Sequence, residues 1–408
     1  MFSKKYSNIY KLLMGRIATN IADSLFYMAI LWYFKENRNS QLMVSILFTI
    51  SSGIDMMSFS LGPLIDKISI KGLLKYSTFI QIVISIIVVT ILGIGQKSYI
   101  IDIVLLLLFI ISSILSAIIY PSEYKLLPLF VTKKDLLRFN GLFQVTYKIL
   151  DLILDGITTF IITFSSVSFT IIFSAVIFGI ALLFYHSIQI NILAKNILED
   201  DSYFTSSYFN DLLLGWKTLR KEKSILELIL PLCVVNLFYG IFAVGLPFFA
   251  QTYIQTSALG YGKLLIASSF GSIIGAFLVQ KFDLGKKNMG QFIAICFLGA
   301  GIFRLFVPLS VSVGIGLVLI NSVISPLWIT MMNTNFEALV QTSFSSAILG
   351  RVETINDSLL SIMIPIGTLL GGWIVKSYGS LITQYIYGIA LICSSIYYFI
   401  VEKLKNTN

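Results

Sequence analysis

Charge is scarce in this chain. Of its 408 residues only 12% are Asp, Glu, Lys or Arg, while 57% are hydrophobic; soluble domains carry about 25% charged residues. A soluble fold has no place for that much Ile, Leu and Phe, so the composition demands a membrane. Cysteine is nearly absent as well. Cys233, Cys296 and Cys393 lie far apart in apolar stretches with no CxxC, which excludes a disulfide framework or a zinc site and leaves small buried hydrophobes. The single histidine, His186, builds no metal cluster; at the end of an apolar run it reads as interfacial or core rather than as a proton relay. The sequence has no nucleotide-binding loop, GxSxG elbow or HExxH helix. No enzyme and no cofactor are expected, and any active transport must draw on a gradient. The net charge of +9 sits in short loops and forms no face or tail, which argues against nucleic acid and for membrane topology.

What remains is a succession of long apolar runs. Twelve spans are expected, at about 9–34, 41–65, 72–95, 99–120, 141–164 and 167–190, then 225–252, 259–281, 288–310, 312–335, 352–376 and 379–401. Each is long enough for a hydrocarbon core of ~30 Å. Unbroken apolarity without period-two alternation makes them helices rather than barrel strands. Lys4, Lys5 and Lys11 precede a first run too long for a signal-peptide core, so it reads as span one. Lys and Arg concentrate in the even-numbered loops, for example Lys125, Lys133, Lys134 and Arg138. That asymmetry predicts cytoplasmic N- and C-termini in a plasma membrane. The stretch 191–224 is the long polar interruption. Within it, 207–223 has the pattern of an amphipathic helix, with Leu212, Leu213, Trp216 and Leu219 on one side and Lys217, Arg220 and Lys221 on another. The expected organisation is all-α and integral to the membrane: a six-helix bundle over 1–190, a cytoplasmic linker over 191–224 and a second six-helix bundle over 225–408.

Against this apolar background a few charges stand out. Asp23, Asp55, Lys148, Asp151 and Asp155 lie inside spans. An acid at a span centre costs about 2.5–3.5 kcal/mol on insertion scales. Two readings stand for each: a functional group on a substrate or ion path, or a pair that locks the bundle. In span five, Gln144, Lys148, Asp151 and Asp155 recur at i, i+4, i+7 and i+11 on one helix face. Lys148 can neutralise Asp151 and leave Asp155 surplus, a candidate for proton coupling. Span one repeats the spacing with Arg16, Asn20, Asp23 and Tyr27. Asp55 has no local partner and is expected to face the interior. The substrate-cavity candidates are Asn20, Tyr27, Gln144, Asn236, Tyr239, Asn321 and Asn333. Gly271 and Gly275 form a small-xxx-small packing face, and Arg304 is expected to snorkel or pair.

Between spans two and three, Gly62, Asp66, Lys67 and Lys71 resemble the loop signature GxxxD-(R/K)-xxx-(R/K) of the major facilitator superfamily. The resemblance implies two pseudo-symmetric six-helix bundles and a conformational latch at these four residues. The stretches Gly15-Arg16, Ala22-Asp23-Ser24, Pro121, Leu127-Pro128-Leu129, Asn140-Gly141, Gly350-Arg351-Val352, Pro365-Ile366-Gly367 and Gly371-Gly372 are similar to the macrolide-efflux-like drug:proton antiporters of that superfamily. Span four departs from the pattern of many proton-coupled drug exporters, with Ser112, Ser113 and Ser116 where they carry an embedded arginine. Asp55, Asp151 and Asp155 also stand where that branch has apolar, glycine or proline residues.

The expectation is a bacterial, monomeric, multi-pass secondary transporter that exports amphipathic or hydrophobic drugs, macrolide-like antibiotics among them, in exchange for protons. Its partners would be a small-molecule substrate, protons and the bilayer. Transport of one specific solute, such as a siderophore, peptide or nutrient, is the alternative. A non-transporting membrane sensor or an enzyme is a remote one.

Overall fold

The computed structural model describes residues 6–37, 40–57, 69–95, 98–131, 133–189, 208–282 and 289–407. In order, the helices are α1 (Ser7–Trp32), α2 (Gln41–Met57), α3 (Ile70–Gly93), α4 (Tyr99–Phe130), α5 (Lys133–Phe164), α6 (Val167–His186) and α7 (Tyr208–Lys221). They continue with α8 (Lys223–Tyr253), α9 (Ala258–Phe282), α10 (Met289–Leu309), α11 (Ile315–Ser343), α12 (Ser346–Ser361), α13 (Ile364–Tyr378) and α14 (Leu381–Thr407). A π-turn at Tyr33–Asn37 and a 3-10 turn at Ser310–Ser312 follow α1 and α10. Helices are what the sequence permits, because in lipid every backbone N–H and C=O must be satisfied within its own segment. Among the described residues ten stretches are long and apolar enough to cross a membrane. The shorter α2 and the charge-bearing α5 bring the spans to the twelve expected.

The exposed face of α3 is made of Tyr76, Phe79, Ile80, Val83, Ile86 and Ile87. A contiguous apolar surface of that kind suits hydrocarbon, not water.

By contacts the chain forms two compact units, Met1–Asn37 with Met57–Tyr208, and Arg38–Met56 with Phe209–Asn408. This differs from the division made by sequence at one helix, since α2 falls in the second unit. There Ser45 Oγ donates to the Thr368 carbonyl at 2.6 Å, and Thr49 Oγ1 lies 2.8 Å from Thr368 Oγ1.

The first unit has its apolar core at the start of α1. Ile9, Leu12 and Leu13 pack with Leu74 of α3, Leu126 of α4, Phe139 of α5 and Tyr185 of α6. Two lysines close the end of α6: Lys11 Nζ donates to the Ser187 carbonyl at 2.7 Å and Lys71 Nζ to the Ile188 carbonyl. Cations at a helix C-terminus satisfy its free carbonyls and oppose its dipole.

In the second unit small residues set the spacing. A Cβ added at Gly271 would overlap the Val323 carbonyl, and one at Gly275 the Leu327 carbonyl. The expected glycine face is therefore the contact of α9 with α11. The obstacle is backbone and cannot rotate away. Gly271→Ala is expected to push the helices apart and cost about 1–3 kcal/mol, read as a lower thermal midpoint of the purified protein.

Several elements differ from the predicted spans. Span four runs through Pro121 to Phe130 instead of ending near residue 120. Span five begins at Lys133. Span eleven is broken between α12 and α13, with Pro365 in the first turn of α13, because proline has no N–H to continue the ladder. The amphipathic helix forms as α7. It docks on α12 through Gly215, which lies against the Arg351 carbonyl and Ile355, and it leaves Leu213, Leu214 and Trp216 exposed.

Candidate functional site

Helix α1 organises the intramembrane charges of the first unit, because its residues 16 to 24 reach α3, α4, α5 and α6. Arg16, buried, lies 3.6 Å through Nε from Glu123 Oε2 on α4. Tyr185 of α6 donates its hydroxyl to Glu123 Oε1 at 2.6 Å, and Thr19 Oγ1 stands 3.4 Å from that hydroxyl. Gly15 makes room for this tyrosine, since a Cβ there would run into the Tyr185 ring. The Arg16 guanidinium also sits 4.9 Å from the centroid of the Tyr147 ring on α5.

Two turns along α1, Asp23 Oδ1 accepts from Ser116 Oγ of α4 at 2.5 Å and from Gln81 Nε2 of α3 at 2.9 Å. Gln81 also donates to Ser116 Oγ at 2.9 Å. The neighbouring Ser24 turns to α5, donating to Asp155 Oδ1 at 2.7 Å and lying 3.2 Å from Thr158 Oγ1. Asp151, exposed, is hydrogen-bonded by Tyr147 one turn back on the same helix.

Three carboxylates are thus tied to one helix by different means. Glu123 has a cation and a phenol. Asp23 has a hydroxyl and an amide. Asp155 has a hydroxyl and, one turn away, the like charge of Asp151. Arg16 acts electrostatically on Asp23, Glu123 and Asp151, whereas among the described residues the charge acting on Asp155 is that of Asp151. The acids are in surplus, and Asp155 is the least compensated of those held by α1.

The other expected site residues are placed as follows. Asn20 lies between Arg16 and Asp23, with its amide nitrogen unpartnered among the described residues. Tyr27 packs on Phe109, ring centroids 5.9 Å apart. Lys148 is exposed on α5. Gln144 is on the same helix, with its side chain outside the described residues. Asp55 is exposed on the last turn of α2, in the second unit.

In the second unit Asn236 donates to the Leu360 carbonyl at 2.8 Å and Cys233 to the Leu359 carbonyl at 3.1 Å. Both side chains of α8 therefore satisfy backbone at the end of α12, beside the break in span eleven. Asn321 donates to Ser310 Oγ at 2.8 Å and is buried. Asn333 is exposed, and Tyr239 belongs to a ring cluster with Phe242 and Tyr387. Of the latch, Gly62, Asp66 and Lys67 lie outside the described residues, and Lys71 caps α6 as described.

Sequence reasoning passed over Glu123, Gln81, Ser24, Thr158 and Tyr185. Glu123 had a readable signal: it is an acid two residues beyond Pro121, in a run still rich in Leu. The uncharged partners had none, because serine and glutamine within an apolar run mark neither a site nor a packing contact by themselves. Among the described residues no cluster of His, Cys, Asp or Glu is arranged to hold a metal ion.

The sequence pattern of the Major Facilitator Superfamily matches residues 12–352. A curated relative, the uncharacterized MFS-type transporter YvqJ of Bacillus subtilis (strain 168), is 21% identical over 385 residues, covering 91% of this chain and 87% of YvqJ. Solved structures share the fold at low identity. The nucleoside transporter NupG superposes with a TM-score of 0.70 at 13% identity, over 98% of this chain and 100% of that one. A D-xylose-proton symporter superposes at 0.67 and 12%, over 97% of each chain. A POT family transporter in complex with 5-aminolevulinic acid superposes at 0.70 and 13%, over 98% and 96%. The chain belongs to the Major Facilitator Superfamily and is a multi-pass membrane transporter of small substrates.

Proposed function

We propose that the protein is a proton-coupled exporter of amphipathic, hydrophobic small molecules, macrolide-like antibiotics among them. In this reading it resides as a monomer in a bacterial plasma membrane with both termini cytoplasmic, and works by alternating access between bundles 1–190 and 225–408. The observation that carries the coupling half is the surplus of carboxylates around α1. A charge held in the membrane without a counter-charge is costly, and a proton removes that cost reversibly. Asp155 is the proposed carrier: Ser24 holds its oxygen in place, and among the described residues no cation sits on it as Arg16 sits on Glu123.

The export half rests on the resemblance to the macrolide-efflux-like branch. That resemblance is carried by Gly15-Arg16, Asp23-Ser24 and the Pro365 to Gly372 segment. Those stretches have physical work in the fold. Gly15 admits Tyr185, Arg16 pairs with Glu123, and Pro365 stands at the break in span eleven.

Expression in a sensitive host tests the reading. Resistance to several unrelated hydrophobic compounds, such as erythromycin and ethidium, is expected to rise at least severalfold. No shift across a broad panel, with membrane expression verified, would replace it by transport of a single specific solute.

A further inference from the structure

The second unit buries a cation for which the described residues supply no counter-charge. Arg304 of α10 is 4% exposed. The crossing of α10 and α14 is close, with Gly301 against the Gly388 carbonyl. Arg304, one turn past Gly301, is held against α8 and α14. Its guanidinium lies 4.5 Å from the centroid of Phe242 and 5.9 Å from that of Tyr387. Those two rings stack at 5.0 Å and 21°, and Tyr239, 42% exposed, meets both at about 6 Å. Arg304 Nε has no hydrogen-bond partner, and among the described residues no carboxylate pairs with the group. On α14, one turn before Tyr387, Gln384 is fully buried with both amide atoms unpartnered.

Ring faces offset part of the cost of burying a guanidinium, but they leave its buried Nε–H donor unused. If packing alone were needed, methionine would fill the same space without the charge. A buried polar group with no partner calls for a missing one. Here the unused donor belongs to a rigid planar fork that matches a carboxylate in two parallel hydrogen bonds. The aromatic wall beside it ends in Tyr239, exposed and suited to an apolar or aromatic body.

We propose that Arg304, walled by Phe242, Tyr387 and Tyr239, is a subsite for the carboxylate of a transported organic anion with an apolar body. The inference rests on the transporter reading and extends its substrate class to organic anions. It is independent of proton coupling.

Thermal unfolding of the purified full chain tests it without any gradient, with benzoate as probe, benzamide as its neutral counterpart and chloride as the inorganic control. Benzoate is expected to raise the midpoint of the wild-type protein, and benzamide and chloride are not. Arg304→Met is expected to unfold at or above the wild-type midpoint and to need at least tenfold more benzoate for any shift. Arg304→Lys, which keeps the charge and loses the fork, is expected to bind about tenfold more weakly; it carries the test should the methionine variant fail to fold. Three results each overturn the proposal: no benzoate effect on the wild type, an equal effect of benzamide or chloride, or an undiminished benzoate shift in both variants.

Discussion

Asp155→Asn is expected to abolish gradient-driven export and to leave solute binding intact. The amide keeps the size of the carboxyl group, and its oxygen still accepts from Ser24, 2.7 Å away in the native protein. What it loses is the ability to release a proton, so the variant is held in the equivalent of the protonated state. One charge crossing 100 mV is worth about 2.3 kcal/mol, which supports a concentration ratio of about fifty. Loss of coupling should collapse that ratio toward one. Asp151→Asn should act more weakly, because Asp151 is exposed and its hydrogen bond comes from Tyr147 on its own helix. Ethidium efflux from energised vesicles reads both. Unchanged efflux in each single variant and in the double variant would remove span five from the coupling mechanism.

The second large effect is expected at the buried pair of Arg16 and Glu123. Glu123→Gln removes the carboxylate that pairs with the buried guanidinium, 3.6 Å from its Nε. Breaking such a pair costs about 3–5 kcal/mol, whereas removing both charges together is often neutral. The double variant Arg16→Met, Glu123→Gln is therefore expected to recover most of the stability lost by Glu123→Gln alone. A double-mutant cycle on the thermal midpoint measures the coupling. Additive losses would mean that the pair contributes nothing as a pair. Tyr185→Phe removes the 2.6 Å hydrogen bond to Glu123; a charged acceptor makes that bond worth about 1.5–3 kcal/mol.

The sequence reading reached the fold because hydrocarbon imposes so few options: long apolar runs, helices and an even count. It reached Asp23, Asp151 and Asp155 because an acid in lipid is conspicuous. It did not reach their partners. Gln81 and Ser116 are uncharged and come from helices far along the chain, so they meet Asp23 only after α3 and α4 pack on α1. Glu123 was hidden because the predicted span four stops at about residue 120, when the helix continues through Pro121 to Phe130. Asn236 looked like a cavity residue because it is polar in an apolar helix. Its role depends on the break in span eleven, where carbonyls need donors from elsewhere. Arg304 was visible as an anomaly, but its surroundings are rings brought together from α8 and α14, which no local spacing shows.

The most direct test of proton-coupled export is proton movement itself. Purified protein would be reconstituted in liposomes containing a pH-sensitive dye, with no membrane potential imposed, and an outward ethidium gradient applied. The account predicts a proton flux opposite in direction to ethidium in the wild-type protein and none in Asp155→Asn. Ethidium movement without a proton flux in the wild-type protein, or an equal flux in Asp155→Asn, would contradict it.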